Sequence, residues 1–341
     1  ALGSTDQNIL VSVDWNINND HRAKLTYNSS EGGSVQERSD RADIGTPSTW
    51  YNRSETVDNL SLQLFSDWSD NFSTELKITQ SSQETGQDSL DGADFAQFDI
   101  DTPTGGTVSV GPDYFRHANA LSNDLFQVKL RGEYISGNHI FSFGYEHSSQ
   151  DVFNLFVPGS EGSYDFDSIV DLQNQNAASL FYNNAVTNDE NDAAAEFGVS
   201  VDSLYAQDEL MVSDQLTMIF GLRYDRYSSD DAPTFNPNFM ARYGYANNTT
   251  IDGLDIIMPR IAFNYASDAQ FEIPFADLSV NDIGFRGGFG RFSGGNPLVW
   301  ISNSFSNDGV NTDSIFIGGG LAGVDAFNLP VAATTGLVAG D

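Results

Sequence analysis

The chain has 341 residues, with 15 Lys and Arg against 48 Asp and Glu, a formal charge of −33 at pH 7. Such acidity excludes nucleic acid as a partner, because phosphate binding relies on cations. The absence of cysteine removes disulfides, thiol nucleophiles and Cys-held zinc or iron–sulfur centres, while 12% aromatic residues, 25 of them Phe, set the chain apart from acidic disordered segments.

The first residues carry no charged-then-apolar leader, so no signal peptide is read there. No apolar run reaches the length of about 18 residues that a membrane helix needs. Strands of a membrane barrel alternate and never give such a run. Alternation is what the sequence shows from its start. Ile9, Val11, Val13, Trp15 and Ile17 alternate with Asn8, Ser12, Asp14 and Asn16, Leu10 being the exception. Period two places each set on one face of a strand. A turn at 18–21 leads to Ala23, Leu25 and Tyr27 against Arg22, Lys24 and Thr26. Leu60, Leu62 and Leu64 begin a hairpin that turns near 67–71 and returns through Leu76 and Ile78 against Glu75, Lys77 and Thr79.

Phe126, Val128 and Leu130 then face Gln127, Lys129 and Arg131, and a turn at 136–139 leads to Phe141, Phe143 and Tyr145. Residues 199–210 predict one strand and 212–215 a turn. The return strand sets Leu216, Met218, Phe220, Leu222 and Tyr224 against Thr217, Gly221, Arg223 and Asp225, with Ile219 as an intruder. A ninth strand runs through Ile261, Phe263 and Tyr265. A tenth sets Ile283, Phe285 and Phe289 against Gly284, Arg286, Gly288 and Gly290.

The connections alternate short and long. Short turns fall near 18–21, 67–71, 136–139 and 212–215, and long polar segments at 29–55, 82–120, 148–198 and 227–256, with 267–279 intermediate. Outer-membrane barrels have short periplasmic turns and long outer loops. Residues 165–197 have helix-compatible spacing and an acidic run at 188–192, which predicts a partly helical outer loop. Alternation alone fits a soluble sheet as well as a membrane barrel; the loop asymmetry favours the barrel. In that reading Leu216, Met218, Phe220, Leu222, Ile261 and Phe263 face lipid. Arg223, Asp225, Arg260, Asn264 and Arg286 face the lumen. Trp15, Trp68, Tyr134, Tyr224 and Tyr227 suit interfacial girdles.

Residues 204–226, reading LYAQDELMVSDQLTMIFGLRYDR, resemble a recurring hairpin of TonB-dependent receptors. The segments FNPNF (235–239), MPRIAFNY (258–265) and RGGFGRFSGGNP (286–297) resemble the Oar-like, carboxypeptidase-regulatory-domain branch of that family. The likeness is dense over about 200–310 and loose before that. It implies a large barrel filled by an N-terminal plug and energised through the TonB complex. The chain departs from this: it shows no plug or TonB box, about ten strands where such transporters have about 22, and no terminal aromatic strand, so both ends look truncated. The domain expectation is that residues 1–341 are part of a single receptor barrel.

Other chemistry is sparse. His21, His117, His139 and His147 lack ligand spacing, so no metal site is read, and no cofactor. There is no nucleophile elbow. The GFGRFS segment at 288–293 has serine where a dinucleotide fingerprint needs its third glycine, and it lies in a strand. Asp99-Ile100-Asp101 and Asp165-Phe166-Asp167 lack the twelve-residue EF-hand pattern, so solvated loop charge is the plainer reading of both. Arg286, Arg291, Asn296 and Trp300 are candidates for ligand contact at a barrel mouth.

The sequence therefore predicts an all-β, antiparallel up-and-down transmembrane β-barrel, partial at about ten strands, with long extracellular loops, in the outer membrane of a Gram-negative bacterium. The expected function is ligand uptake or export through a plugged lumen, without enzymatic chemistry. Its expected partners are outer-membrane lipid, the TonB complex and an unidentified transported ligand. The alternatives are a secreted acidic β-sheet protein that binds or cleaves polysaccharide, and a structural or adhesive surface barrel.

Overall fold

A computed structural model describes residues 3–267, 271–273, 278–280 and 283–322. The chain opens with the hairpin β1 (Ser4–Asn16) and β2 (His21–Gln36), followed by the short β3 (Asp43–Gly45). A second hairpin, β4 (Tyr51–Ser69) and β5 (Phe72–Ser89), precedes β6 (Gln97–Asp101) and β7 (Thr107–Val110). A third, β8 (Asn119–Ser136) and β9 (His139–Phe156), precedes β10 (Ser163–Phe166), α1 (Ile169–Gln173) and β11 (Asn176–Ala185). A fourth, β12 (Ala195–Met211) and β13 (Leu216–Ser228), precedes α2 (Pro237–Tyr243) and β14 (Asp255–Ser267). A small hairpin of β15 (Phe271–Ile273) and β16 (Leu278–Val280) leads to β17 (Ile283–Gly290), α3 (Leu298–Ser306) and β18 (Thr312–Ala322).

Ten strands form one antiparallel wall in the order β1-β2-β4-β5-β8-β9-β12-β13-β14-β17. Every wall strand pairs with its sequence neighbours, so alternate connections share an end. The turns at 17–20, 70–71, 137–138 and 212–215 share one end, and the connections 37–50, 90–118, 157–194 and 229–254 share the other. The predicted turns fall at the right places, but the long connections are shorter than read. β2, β5 and β9 run eight or nine residues into them, β13 two, and β4, β8, β12 and β14 begin earlier, because polar strand ends above the apolar stretch still pair. The 267–279 segment lies largely outside the described residues.

Pairing register assigns the faces. Phe220 stands opposite Asp208 and Ile261, Ile261 opposite Phe289, and Leu62 opposite Leu25 and Ile78. Val13, Leu25, Leu62, Leu130, Phe143, Leu222 and Phe263 are therefore on one continuous face, and each is exposed. The other face is polar. Among the described residues, every Lys and Arg on a wall strand lies on it except Arg226. Among the described residues no protein layer covers the apolar face. In water such a patch would be far larger than a soluble monomer tolerates; in a bilayer it is the surface that lipid wets. Strands of 13–19 residues, β17 excepted, exceed the roughly 9–11 that cross the hydrocarbon. Three outward tyrosines donate to aspartates on the adjacent strand: Tyr27 to Asp58 (2.7 Å), Tyr145 to Asp202 (2.5 Å) and Tyr224 to Asp255 (3.3 Å).

A compact apolar core lies beyond the wall, at the long-loop end. There β18-β11-β10-β6-β7-β3 form a second sheet, with β3/β7 and β6/β10 parallel. Phe98, Ile100, Tyr164, Phe166, Leu180 and Tyr182 are buried together in it. Residues 165–197, read as partly helical, carry less helix than strand. Only the five-residue α1 and a 3-10 turn at Glu190–Ala193 are helical, and β11 occupies the middle. A register shift between Ala177 and Ser179 breaks the alternation of β11, which is why period two was invisible there. Among the described residues no helix is long and apolar enough to cross a membrane.

Candidate functional site

The polar face carries its densest cluster on β8, β9, β12, β13 and β14. Arg223 is the hub: its Nη1 donates to Glu146 (2.8 Å), its Nε to Asp225 (2.7 Å) and its Nη2 to Ser203 (2.8 Å). Lys129 approaches the other oxygen of Glu146 at 3.8 Å. Asp225 and Ser203 are buried, so the planar guanidinium satisfies groups that water does not reach. Arg260 lies across Gly221; a Cβ there would come within 2.5 Å of Nε, so glycine is the residue that permits this close approach. That Nε is buried without a partner. The segment after β17 folds back over the same face. Arg291 N donates to Pro259 O, Ser293 N donates to Met258 Sδ, and Ser293 Oγ meets Tyr227 Oη at 3.1 Å. Between this arm and the wall lies a cleft of about 400 Å³ lined by Glu146, Arg223, Arg260, Arg291 and Asn296 among others.

The structure thus brings Arg223, Asp225, Arg260, Arg291 and Asn296 together. Asn264 and Arg286 share the face but form a register pair nearer the short-turn end. Trp300 stands apart, 77% exposed in α3. Among the described residues neither Arg260, Arg286 nor Arg291 makes an ion pair with a carboxylate. Sequence reasoning missed Glu146, Ser203, Lys129 and Met258 as members of this cluster. The alternation around Tyr145 and Leu204 carried the signal, since Glu146 and Ser203 fall on the opposite phase. Gly287 of β17 serves packing: a Cβ there would meet the Phe263 ring at 2.8 Å.

A sequence profile described as an outer membrane beta barrel domain matches residues 3–327. The chain belongs to this family. Its fold is similar to that of the outer membrane transporter YddB from Escherichia coli, with a TM-score of 0.58 at 13% identity over 92% of this chain and 34% of that one. It is more loosely similar to the ferric-catecholate import receptor Fiu from E. coli K12 in its closed form, with a TM-score of 0.47 at 14% identity over 77% of this chain and 41% of that one. The chain spans about a third of the YddB chain. No curated protein matches its sequence. This outer-membrane barrel domain therefore resides in the outer membrane of a Gram-negative bacterium, and the soluble secreted alternative falls away.

The loop-end sheet of the barrel domain brings the two Asp-rich motifs side by side, Asp165 opposite Asp99 on parallel strands. Their carboxylates are occupied: Asp99 accepts from Gln97 Nε2 and Ser109 Oγ, and Asp165 from Ser179 Oγ. Burial pushes the Asp99 carboxyl above its ordinary range, against its hydrogen bonds from Ser109 and Gln97. Among the described residues no group of three His, Asp or Glu has the geometry to hold a metal. Nearby, Glu161 is pushed up to about 7 by burial, with Glu190 and Asp94 adding repulsion. His117, whose Nδ1 accepts from the Glu161 N–H, is pushed down to about 4 by burial.

Proposed function

We propose that this domain is part of the barrel of a TonB-dependent receptor, of the Oar-like branch, that moves a ligand across the outer membrane. In this reading the polar face lines the lumen. Leu216, Met218, Phe220, Leu222, Ile261 and Phe263 meet lipid. The remaining strands and a plug belong to the rest of the protein, and the plug couples the barrel to the TonB complex. YddB is described as an outer membrane transporter, and the shared fold supports this reading. The observation that carries it is the cleft on the polar face, where Arg260 and Arg291 have no carboxylate partner among the described residues. Free guanidinium groups in a partly dehydrated cleft suit carboxylate or phosphate groups on a passing ligand. Binding and gating suffice for this function; no covalent step is required.

The test uses cysteines in the full-length protein in intact outer membranes. Asn264→Cys should react with a membrane-impermeant maleimide and Phe263→Cys should not. The full-length protein should also be retained by immobilised TonB. Labelling of Phe263→Cys at the rate of Asn264→Cys would refute the lumen assignment, and failure to bind TonB would refute the coupling.

A further inference from the structure

The apolar face is not uniform. On β12 its outward positions from Leu204 towards the short-turn end are Leu204, Ala206, Asp208 and Leu210. Ala206 is the small one. Phe143 stands opposite it on β9 and Leu222 on β13; Phe141 and Phe220 flank Asp208 in the same way. Large side chains on both neighbours and a methyl between them leave a groove of about 480 Å³. All four large side chains are exposed along it.

The groove has a polar foot. His139 Nδ1 lies 2.9 Å from Asp208 Oδ2 and 3.1 Å from Oδ1, and the His139 ring stacks on Phe141 with centroids 5.3 Å apart and planes within 1°. No other hydrogen-bond partner of Asp208 occurs among the described residues. An ionised carboxylate accepts about four hydrogen bonds, so most of its capacity is unused. A carboxylate on a lipid-contacting face is costly at mid-membrane but cheap near the interface. Asp208 is three residues from the end of β12 at Met211, on the short-turn side, which is headgroup depth. The groove therefore runs from an anionic foot at the interface towards the hydrophobic middle of the wall.

We propose that this groove holds one phospholipid with a primary-ammonium headgroup: the ammonium donates to Asp208 and an acyl chain lies over Ala206 between Phe143 and Leu222. Lipid is what the apolar face meets, and negative charge at the foot selects a cationic amine over an anionic headgroup. His139 orients the carboxylate, held in turn by the Phe141 ring. The inference rests on the apolar face meeting lipid and is independent of transport.

The test is lipid retention by the full-length protein. Purified wild type is exchanged into nanodiscs of equal phosphatidylethanolamine and phosphatidylglycerol, released into mild detergent, and read by native mass spectrometry. Wild type should retain one phosphatidylethanolamine, with at least tenfold preference over phosphatidylglycerol. Ala206→Phe fills the groove and should lose the lipid. Asp208→Asn should keep an acyl chain but lose the preference. Ala206→Leu gives the same readout should the larger residue block insertion, and Leu62→Phe on β4 should change nothing. Equal retention of the two lipids by wild type, preference for phosphatidylglycerol, or unchanged retention in both Ala206 variants overturns the proposal. The Asn264 and Phe263 labelling pattern reads the lumen separately, so either reading can fail alone.

Discussion

Placing a charge on the apolar face tests what that face meets. Ile261 is the central residue of β14 (Asp255–Ser267), six positions from either end, and it stands opposite Phe220 and Phe289. Six residues span roughly 20 Å along a strand, beyond the reach of an arginine side chain, so Ile261→Arg cannot bring its guanidinium to water beside Asp255. An outward arginine costs roughly 2–4 kcal/mol at the midplane and less towards the interface, and Ile261, two register steps from Asp208 through Phe220, falls between the two. The isoleucine is already 43% exposed, so the lost packing adds under about 1 kcal/mol. The comparison is Ser142→Arg, on the polar face opposite Glu133 and Gln207, where the new charge meets polar neighbours and should cost under about 1 kcal/mol. Denaturant titration in phospholipid vesicles, followed by Trp fluorescence, reads both. Equal costs, or the larger cost at Ser142, would refute the assignment of faces.

Arg223→Ala should destabilise by roughly 2–4 kcal/mol, because Glu146 and the buried Asp225 lose their shared partner; Arg223→Lys should recover only part, since an ammonium cannot reach three acceptors in a plane, and full recovery in thermal unfolding would contradict the hub geometry. At the loop end, Glu161 has a folded-state value near 7 against an ordinary 4.5. Its contribution is therefore whole below about pH 4.5 and is lost as pH rises through about 7. His117 acts oppositely, its contribution whole above about 6.5 and lost as pH falls through about 4. Hydrogen exchange over 157–162 should show weaker protection at pH 8 than at pH 6, after correction for intrinsic rates, and Glu161→Gln should remove the difference; a wild type more protected at pH 8 would contradict the sign. Asp189→Cys, in the 3-10 turn region of the loop end, should react with impermeant maleimide on intact cells, and reaction only after the outer membrane is broken would place that end in the periplasm.

The wall was legible because each of its strands has one apolar and one polar face. That situation writes period two directly into residues such as Leu216–Tyr224, and the short turns between hairpins mark their ends. The loop-end sheet was not legible for three physical reasons. Its strands are short, β3 being three residues and β10 four. The alternation of β11 is broken between Ala177 and Ser179. Its parallel pairs join segments far apart in the chain, such as Asp43 with Thr107. The polar cluster was half legible: Arg223 and Asp225 announced themselves by alternating with aromatics, while Glu146 needed the register of β9 against β12 before it could be set beside Arg223.

In the receptor proposed above, the loop-end sheet would also change what a ligand meets on arrival. Its strands come from three of the long connections, through β3, from β6 and β7, and from β10 and β11, and β18 returns after the last wall strand to close it. The fourth connection is tied in by Asn236, whose Nδ2 donates to the Asp308 and Gly309 carbonyls, and by Thr234, which accepts from Asn311. Loops that would otherwise sample positions independently share one backbone ladder. Capture at this surface is then closer to docking on a preformed plate than to the folding of separate arms, and the ordering entropy that loose loops lose on binding has already been spent when the domain folds.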